Sequence, residues 1–408
     1  MSSDLWPGRR RHGHGIGTGV LGMFVLAVDS LFTLTMSAFL IAVLKRVSRA
    51  LSLIDHPDHR KRHDGVIPLC GGIGIFLTFA AISLLVGNLS ALGANYWLAL
   101  FIVVAVGVID DKRPLPATVR LAAQLAAAII LVSGVHISFF SFGALLPAEI
   151  AAHPPFLFLI AILFVAGLIN AWNMMDGVDG LAGGSAAVAL MWLLIIADFK
   201  AVPGLVFPIE TLVAAICGFL AFNMRSPWRA RASVFLGDAG STALGLTIAY
   251  LIVILSTLES AVTFPALLWI VIIPVVDTLS LMTRRILARR SPMSADRWHL
   301  HHLFLDNGFS PAGTTGMIML ASAICGAIGF IGARAEVPAG VMAFSLILPV
   351  GAHTVFVLLA SGHAPTWARA LGLRQQILSQ PTPEVAVLRS SDGDYGKSIV
   401  AKKTGIEA

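Results

Sequence analysis

The stretch LGANYWLALFIVVAVGVIDD, residues 92–111, is an apolar run with no charged side chain until the two adjacent aspartates at its end. A helix of about this length crosses the hydrocarbon core of a bilayer, which is roughly 30 Å thick. The lipid interior offers the backbone no hydrogen-bond partners, so a run of this kind forms a helix there. The stretch therefore predicts a membrane span with a pair of carboxylates at one end.

The rest of the chain repeats this pattern. Of the 408 residues, 57% are hydrophobic and 12% are charged, whereas soluble domains carry about 25% charged residues. The runs do not alternate between apolar and polar residues, which argues against a β-barrel. We predict an all-α, polytopic transmembrane helix bundle of about 11 spans. The runs lie near 21–43, 70–88, 92–109, 117–135, 156–171, 181–197, 205–222, 239–257, 263–282, 313–333 and 339–360.

The distribution of basic residues predicts the orientation. Of the 28 Lys and Arg residues, 23 fall in one alternate set of loops, with Arg120 at a helix end counted among them. Short cytoplasmic loops are enriched in Lys and Arg, so this set is cytoplasmic, the N-terminus outside and the C-terminus inside. The triplet Arg9–Arg11 favours the opposite orientation for the first span, but the larger number of basic residues in the other set of loops decides the prediction. We predict a polar basic tail at 1–20, a transmembrane domain at 21–360, and a mobile cytoplasmic tail at 361–408.

The net charge indicates which partners the protein contacts, and the cysteine spacing indicates whether its thiols are paired. The net charge of +6 indicates contact with membrane lipids rather than with nucleic acid. Cys70, Cys217 and Cys325 form no spacing motif and are expected to be buried thiols. No interface motif predicts an oligomer, although a homodimer is compatible with such a bundle. Asp29 and Glu210, inside apolar runs, are expected to face the bundle interior and to be hydrogen-bonded.

Five polar clusters fall in the predicted cytoplasmic loops or at the helix ends beside them. The first contains Lys61, Arg62 and His63, followed by the glycines of a helix start at Gly71-Gly72. Basic side chains beside the bare N–H groups of a helix start suit a phosphate. A basic anchor on the cytoplasmic side of the membrane is the alternative interpretation of the same residues.

The second and fourth clusters are acidic. Asp110 and Asp111 end an apolar helix, where adjacent carboxylates are costly unless a cation or a basic partner holds them. Asp238, in the stretch Phe235-Leu-Gly-Asp-Ala-Gly-Ser, opens another apolar run. Magnesium binds such oxygen ligands together with substrate phosphates. Simple helix capping is the alternative for both clusters.

The third cluster is Asn170-Ala-Trp-Asn-Met-Met-Asp-Gly-Val-Asp-Gly, a glycine-rich turn between two spans. Its aspartates, Asp176 and Asp179, are three residues apart and would share a face if the segment were helical. The glycines allow the backbone to approach a ligand closely. An EF-hand needs a longer and denser acidic loop, which argues against calcium sensing.

The fifth cluster contains Arg297, His299, His301 and His302 and follows an arginine-rich helix end, Arg284 to Arg290. Three histidines could suggest zinc, but a carboxylate or cysteine partner at a familiar spacing is missing. Imidazoles beside arginines instead suit a pyrophosphate. A solvated basic loop is the alternative. Asp277, near the end of the preceding helix, is expected to support this site.

The five clusters together favour phosphoryl transfer at the membrane surface. Carboxylates would hold magnesium, and basic and histidine side chains would hold phosphates. A soluble donor would explain why the clusters share the cytoplasmic face, and a lipid acceptor would explain why they lie at helix ends.

In the same order along the chain, RKRHDGVIPLCGG, VIDDKRPL, NAWNMMDGVDGLAGG, VFLGDAGS and SPMSADRWHLHH resemble the motifs of the polyprenyl-phosphate N-acetylhexosamine-1-phosphate transferases. The resemblance runs from about residue 50 to 305 and is strongest to bacterial members that use N-acetylglucosamine. It implies transfer of a sugar-1-phosphate from a UDP-N-acetylhexosamine to undecaprenyl phosphate with release of UMP, using Mg²⁺, with Mn²⁺ as the alternative ion. It also implies the bacterial inner membrane and the first membrane step of O-antigen or related surface-polysaccharide synthesis.

The resemblance also assigns roles to individual residues. It implies that Asp238 binds magnesium and that Asp110 and Asp111 take part in catalysis and in holding the metal. The substrate contacts that it implies, together with the basic cluster, are Lys61, Arg62, His63, Asn173, Asp176, Asp179, Phe235, Arg297, His299, His301 and His302. The HLHH segment differs from the consecutive histidines of the sister family that transfers phospho-MurNAc-pentapeptide, which favours the smaller donor.

Several alternatives stay open. Other UDP-N-acetylhexosamines or UDP-MurNAc-pentapeptide could be the donor, and the reaction could be direct or pass through a phospho-aspartate. A membrane transporter is the alternative from another class, but the chain has no visible internal repeat. A CDP-alcohol phosphatidyltransferase is disfavoured because its acidic signature is incomplete.

Overall fold

The computed structural model describes residues 16–55, 65–137, 153–258, 262–291 and 298–361, and these residues form a bundle of helices. Several helices begin with proline in their first turn, where its missing N–H is not needed. The helices are α1 (Ile16–Val47), α2 (Gly71–Leu85), α3 (Gly93–Lys112), α4 (Ala117–Ser133), α5 (Pro154–Met175), α6 (Leu181–Phe199), α7 (Pro203–Asn223), α8 (Asp238–Thr257), α9 (Phe264–Leu287), α10 (Leu300–Asp306), α11 (Pro311–Arg334), α12 (Ala339–Ser345) and α13 (Ile347–Ala360).

Each of the predicted apolar runs coincides with a helix or, in the last case, a pair of helices. Within the described residues, 9 spans are long and apolar enough to cross a membrane, counting α12 and α13 as one. Two more apolar helices are shorter, α2 with 15 residues and α4 with 17. The prediction of a polytopic helical membrane protein is confirmed, while the count of about 11 spans and their orientation stay predictions.

The run at 339–360 is divided in a way that its hydropathy did not predict. The helix stops at Ser345 and resumes at Ile347. Pro349 explains the break, because it has no N–H to donate to the carbonyl of Ser345, four residues earlier, and its ring crowds that oxygen. The last span therefore consists of two helices joined at Leu346.

Helix α8 is the centre of the bundle. Of its most apolar stretch, 94% of the residues are buried, and it packs against α2, α3, α5 and α6. Two of these approaches are nearly backbone to backbone. Gly72 of α2 lies against Gly240, and Gly107 of α3 lies against Ala239, so a Cβ atom at either glycine would meet main-chain atoms. The first turn of α8 is thereby fixed by two neighbouring helices.

A short backbone staple holds the segment that leads into α8. Strands β1 (Ile54–Asp55) and β2 (Ile67–Pro68) pair in antiparallel register. The N–H of Phe235 donates to the carbonyl of Pro68 at 2.8 Å, and the N–H of Gly71 donates to the carbonyl of Phe235 at 3.0 Å. The strand pair, the start of α2 and the start of α8 are therefore linked by main-chain hydrogen bonds.

The polar residues inside the spans divide into two cases. Glu210 accepts a hydrogen bond of 2.6 Å from the Ser30 hydroxyl, as expected for a carboxyl inside the bundle. The expectation for Asp29 is wrong, because this residue is exposed near the start of the span that begins at Ala27. Its side chain meets the surroundings of the protein rather than a neighbouring helix.

The three thiols are free, and Cys70 and Cys325 are buried while Cys217 is partly buried. The expectation of buried thiols is thus confirmed for Cys70 and Cys325, whereas Cys217 is only partly buried. Most of the predicted tails at 1–20 and 361–408 lies outside the described residues, so the division into domains stays a prediction.

Candidate active site

One end of the bundle encloses a cavity of about 2250 Å³. All five interhelical loops that the charge rule assigns to the cytoplasm contribute to its wall. A pocket for one small molecule typically has 300–1,000 Å³, so this cavity has room for two substrates. Its wall carries the carboxylates of Asp55, Asp110, Asp111, Asp176, Asp179 and Asp238. The wall also carries the cations of Lys45, Arg46, Arg49, Lys112, Arg120, Arg225, Arg231 and Arg285.

Asp110, at the end of α3, is held in place from two sides. Its Oδ1 accepts the N–H of Leu115 at 2.6 Å, and its Oδ2 accepts from Arg120 Nη1 at 3.0 Å. The same Arg120 nitrogen lies 3.7 Å from Asp238 Oδ2. Arg120 stands in the first turn of α4, where the helix dipole disfavours a cation, so the two carboxylates must hold it there.

Asp111 points in a different direction from its neighbour. Its Oδ1 accepts the N–H of Asp238 at 2.8 Å, and its Oδ2 accepts the N–H of Ala239 at 3.3 Å. These are the first two N–H groups of α8, which have no acceptor within their own helix. The Asp111 carboxylate therefore caps α8 from a neighbouring helix and fixes the position of Asp238.

Asp238, in the first turn of α8, is more open to the cavity than Asp110. Asn173 of α5 donates to its Oδ1 at 2.9 Å and to the Ser241 hydroxyl at 3.0 Å. The side chain is 36% exposed, and its Oδ2 faces Arg120. Asp238 does not cap its own helix, so the alternative interpretation of a plain N-cap does not hold.

The loop between α5 and α6 separates its two aspartates. The helix ends at Met175, so the condition under which Asp176 and Asp179 would share a helical face is not met. Asp176 is exposed at the cavity. Asp179 instead accepts from Arg225 Nε at 2.8 Å and from the N–H of Ala232 at 3.0 Å. Asp179 therefore orients a cationic side chain on the cavity wall.

The three predicted histidines line another part of the cavity wall. His299 and His301 are buried with their rings stacked 5.4 Å apart, and His302 packs beside them. The His301 ring contacts the backbone at Gly177, where a Cβ atom would lie 2.2 Å from its Nε2. This glycine is needed because a side chain would displace the imidazole. The acidic loop and the histidine segment are thus in direct contact.

Asp277 of α9 accepts hydrogen bonds from the start of the histidine segment. Its Oδ1 accepts the N–H of Leu300 at 2.9 Å, and its Oδ2 lies 3.4 Å from His299 Nδ1. The carboxylate is buried and therefore needs such partners. The expectation that Asp277 supports the site agrees with this geometry.

Sequence comparisons now identify the family. Residues 94–256 match the profile described as Glycosyl transferase family 4. The undecaprenyl-phosphate alpha-N-acetylglucosaminyl 1-phosphate transferase of Escherichia coli (strain K12) is 30% identical over 319 residues, covering 76% of this chain and 85% of that protein. The chain belongs to the polyprenyl-phosphate N-acetylhexosamine-1-phosphate transferase family. The resemblance drawn from the five motifs is confirmed.

Two further proteins that are similar to this chain support the same family. The protein of the same name from Yersinia pestis is 31% identical over 317 residues, covering 77% of this chain and 86% of that protein. The probable undecaprenyl-phosphate N-acetylglucosaminyl 1-phosphate transferase of Bacillus subtilis (strain 168) is 30% identical over 295 residues, covering 71% and 79%. The chain is therefore a sugar-phosphate transferase that spans most of the length of its relatives.

The structure brings most of the transferase's predicted site residues to one cavity. The residues that line it are Asp110, Asp111, Asn173, Asp176, Asp179, Phe235, Asp238, His299, His301 and His302. Four other predicted residues, Lys61, Arg62, His63 and Arg297, lie outside the described residues. Sequence reasoning missed Arg120, which it counted only as an orientation signal. A cation in the first turn of a helix was the available clue.

The side chains at the cavity of the transferase can be compared with the ligands that the expected magnesium ion requires. Within the described ranges, no group of three or more His, Cys, Asp or Glu side chains is spaced to enclose a metal. Magnesium seldom requires such a cage, because it keeps several waters and binds one or two carboxylates together with substrate phosphates. Asp110 and Asp238 share the Arg120 nitrogen as a partner, and Asp238 opens to the cavity, so these residues fit the ion.

Proposed function

We propose that this protein transfers N-acetylglucosamine-1-phosphate from UDP-N-acetylglucosamine to undecaprenyl phosphate, releasing UMP. The observation that carries the proposal is the single cavity in which Asp110, Asp238 and Arg120 meet beside the histidine segment. The relatives bear the name of this acceptor and this sugar. We further propose, from the loop charges and from the motif resemblance, that the enzyme works in the bacterial inner membrane with its cavity toward the cytoplasm and begins a surface polysaccharide such as O-antigen.

The chemistry follows from the charges of the substrates. An oxygen of the lipid phosphate attacks the β-phosphorus of the donor, and a new P–O bond forms. The bond from that phosphorus to the bridging oxygen breaks, and UMP leaves with the electron pair. At neutral pH the acceptor phosphate is already largely ionised, so the protein mainly has to align the reactants and stabilise charge.

The side chains divide this work by their positions. Arg120, Arg225 and the histidines supply cations and N–H donors for the phosphates, as charge-assisted hydrogen bonds to phosphate require. Asp110 keeps Arg120 in place, and Asp179 does the same for Arg225. Asp111 has both oxygens on the first N–H groups of α8, which suits positioning of Asp238 better than removal of a proton.

Magnesium, or manganese in its place, would be held by Asp238 and Asp110 and would neutralise charge on the pyrophosphate when bound. Asn173 orients the Asp238 carboxylate through its Oδ1, which leaves Oδ2 toward the cavity. Mutual repulsion of the clustered carboxylates would also be relieved by such a cation.

The test is lipid-dependent release of UMP by the purified protein in detergent or lipid nanodiscs. With UDP-N-acetylglucosamine, undecaprenyl phosphate and magnesium we expect turnover, and the Asp238→Ala variant should lose it. Asp198→Ala is the matched control, because Asp198 is exposed and does not line the cavity. Absence of lipid-dependent UMP would refute the proposed transfer. UDP-MurNAc-pentapeptide and other UDP-N-acetylhexosamines in parallel reactions decide the donor.

A further inference from the structure

The helix that carries two of the histidines, α10, has 7 residues. An isolated helix of this length is not stable in water, so its position depends on what it packs against. It packs against α11 and α13. The last helix of the described chain therefore reaches the candidate active site, although its sequence is almost wholly apolar.

Helix α13 contacts the middle and the C-terminal end of the histidine helix α10, and it also contacts Asp277 of α9. In the middle, the rings of Phe304 and Phe356 are stacked with centroids 4.5 Å apart. At the C-terminal end, Asn307 Nδ2 donates to the carbonyl of Ala360 at 3.3 Å. His353 Nε2 lies 3.4 Å from Oδ1 of Asp277 in α9, and the same oxygen accepts the N–H of Leu300 in the first turn of α10. The first two contacts fix the axis of α10, and the third acts on its first turn through Asp277.

The third contact places three polar groups around one buried carboxylate. Asp277 Oδ1 serves both His353 and the N–H of Leu300, while Oδ2 faces His299 Nδ1. A carboxylate beside Nδ1 keeps the proton on that nitrogen, which leaves Nε2 of His299 for the cavity that this residue lines. His353 therefore acts on the orientation of His299 only through Asp277.

If only the stability of the protein mattered, a leucine would be more favourable than a histidine at position 353 in α13. Only 17% of the residues in the last span's most apolar window are buried, and in α13 the buried ones are His353 and Val357. A polar side chain inside a span is costly, and a leucine would fill the same space without that cost. Within the described part of the chain, Nδ1 of His353 has no hydrogen-bond partner, which adds to the cost.

We propose that His353 is a positioning residue for sugar-phosphate transfer: by holding Asp277 it fixes His299 and the first turn of α10 at the phosphate-binding wall. The inference rests on the proposed function for its kinetic consequence, but its structural consequence can be measured without turnover. The residue lies well beyond residues 94–256, where the family profile matches.

The kinetic test compares His353→Leu, His353→Gln and Val357→Ala. Removing a supporting partner of a site residue typically costs about 10- to 100-fold, so we expect His353→Leu to lower kcat at least ten-fold with little change in the KM for the UDP-sugar. His353→Gln keeps a side-chain N–H donor and should restore most of kcat. Val357→Ala, on the same buried face, should leave kcat unchanged.

A double-mutant cycle distinguishes positioning from simple packing. Because His353 acts on His299 through Asp277, His353→Leu should cost much less once His299 is replaced by alanine than it costs in the wild-type protein. Multiplying losses would overturn the proposal. So would an equal loss of kcat in Val357→Ala, or full kcat in His353→Leu.

A chemical readout decides the proposal even if the wild-type protein releases no UMP, in which case the proposed function alone fails. The purified protein is treated with diethylpyrocarbonate, and carbethoxylation of His299 is followed by mass spectrometry. In His353→Leu the loss of one hydrogen bond should raise the rate at His299 about five-fold, while exposed His136 reports an unchanged rate. An unchanged rate at His299 would refute the proposed positioning.

Discussion

The close approach of α3 to α8 allows the sharpest prediction. A Cβ atom at Gly107 would lie 2.4 Å from Ala239 Cα and 2.5 Å from its nitrogen. The obstacle is backbone, so it cannot be relieved by a change of rotamer. In Gly107→Ala the start of α8 must move by about 1 Å to reach ordinary contact distance, and a misplacement of this size can cost about 100-fold in rate.

The same substitution should leave the protein folded. Overpacking of this kind costs about 1–3 kcal/mol, which is less than the usual stability of a folded protein. We therefore expect kcat for UMP release to fall about 100-fold, equivalent to roughly 3 kcal/mol in the activation free energy, with a modest decrease in Tm.

The control is Gly167→Ala in α5, because a Cβ atom there would meet nothing within 4 Å. This variant should keep its kcat and gain slightly in helix stability. Wild-type kcat in a folded Gly107→Ala protein would show that the position of Asp238 does not depend on the contact between α3 and α8.

Three further experiments address the cavity. Arg120→Ala should lower kcat/KM at least ten-fold, because a cation that binds phosphate is lost. The Tm should change little, because the Arg120 side chain is 38% exposed and ion pairs of such side chains add little stability. A normal kcat/KM would exclude a role of Arg120 in phosphate binding. Gly177→Ala should displace the His301 ring and raise the KM for the UDP-sugar, measured by UMP release, and an unchanged KM would exclude a donor contact there. Chelation by EDTA should abolish UMP release and added Mg²⁺ should restore it, whereas activity that persists in EDTA would refute the metal requirement.

The helices were predictable because lipid leaves the backbone no alternative. The apolar runs fixed where the helices lie, and loop charge correctly grouped the five loops that meet at the cavity. The break near Leu346 was missed because hydropathy ignores backbone chemistry, although Pro349 was visible in the sequence. Rules for the backbone would have found it.

The division of labour among the carboxylates was less predictable. Adjacent residues on a helix point about 100° apart, so Asp110 and Asp111 separate to different partners, but the identity of those partners depends on how α4 and α8 pack. The pairing of Asp179 with Arg225 joins residues that are distant in sequence. Such tertiary contacts leave no local signal in a single sequence.

The contacts of Gly72 with Gly240 and of Gly107 with Ala239 limit how this enzyme can change. Where main chains touch, no side chain can be enlarged or reduced to adjust the distance, so the chemistry of phosphate transfer is tied to a fixed geometry. Changes of sugar preference are then expected from replacements in the loops at the rim, where a side chain can be exchanged without a backbone contact to the first turn of α8 being altered. An attempt to alter the donor by design should therefore begin in residues 224–236 and around α10, and leave the first turn of α8 untouched.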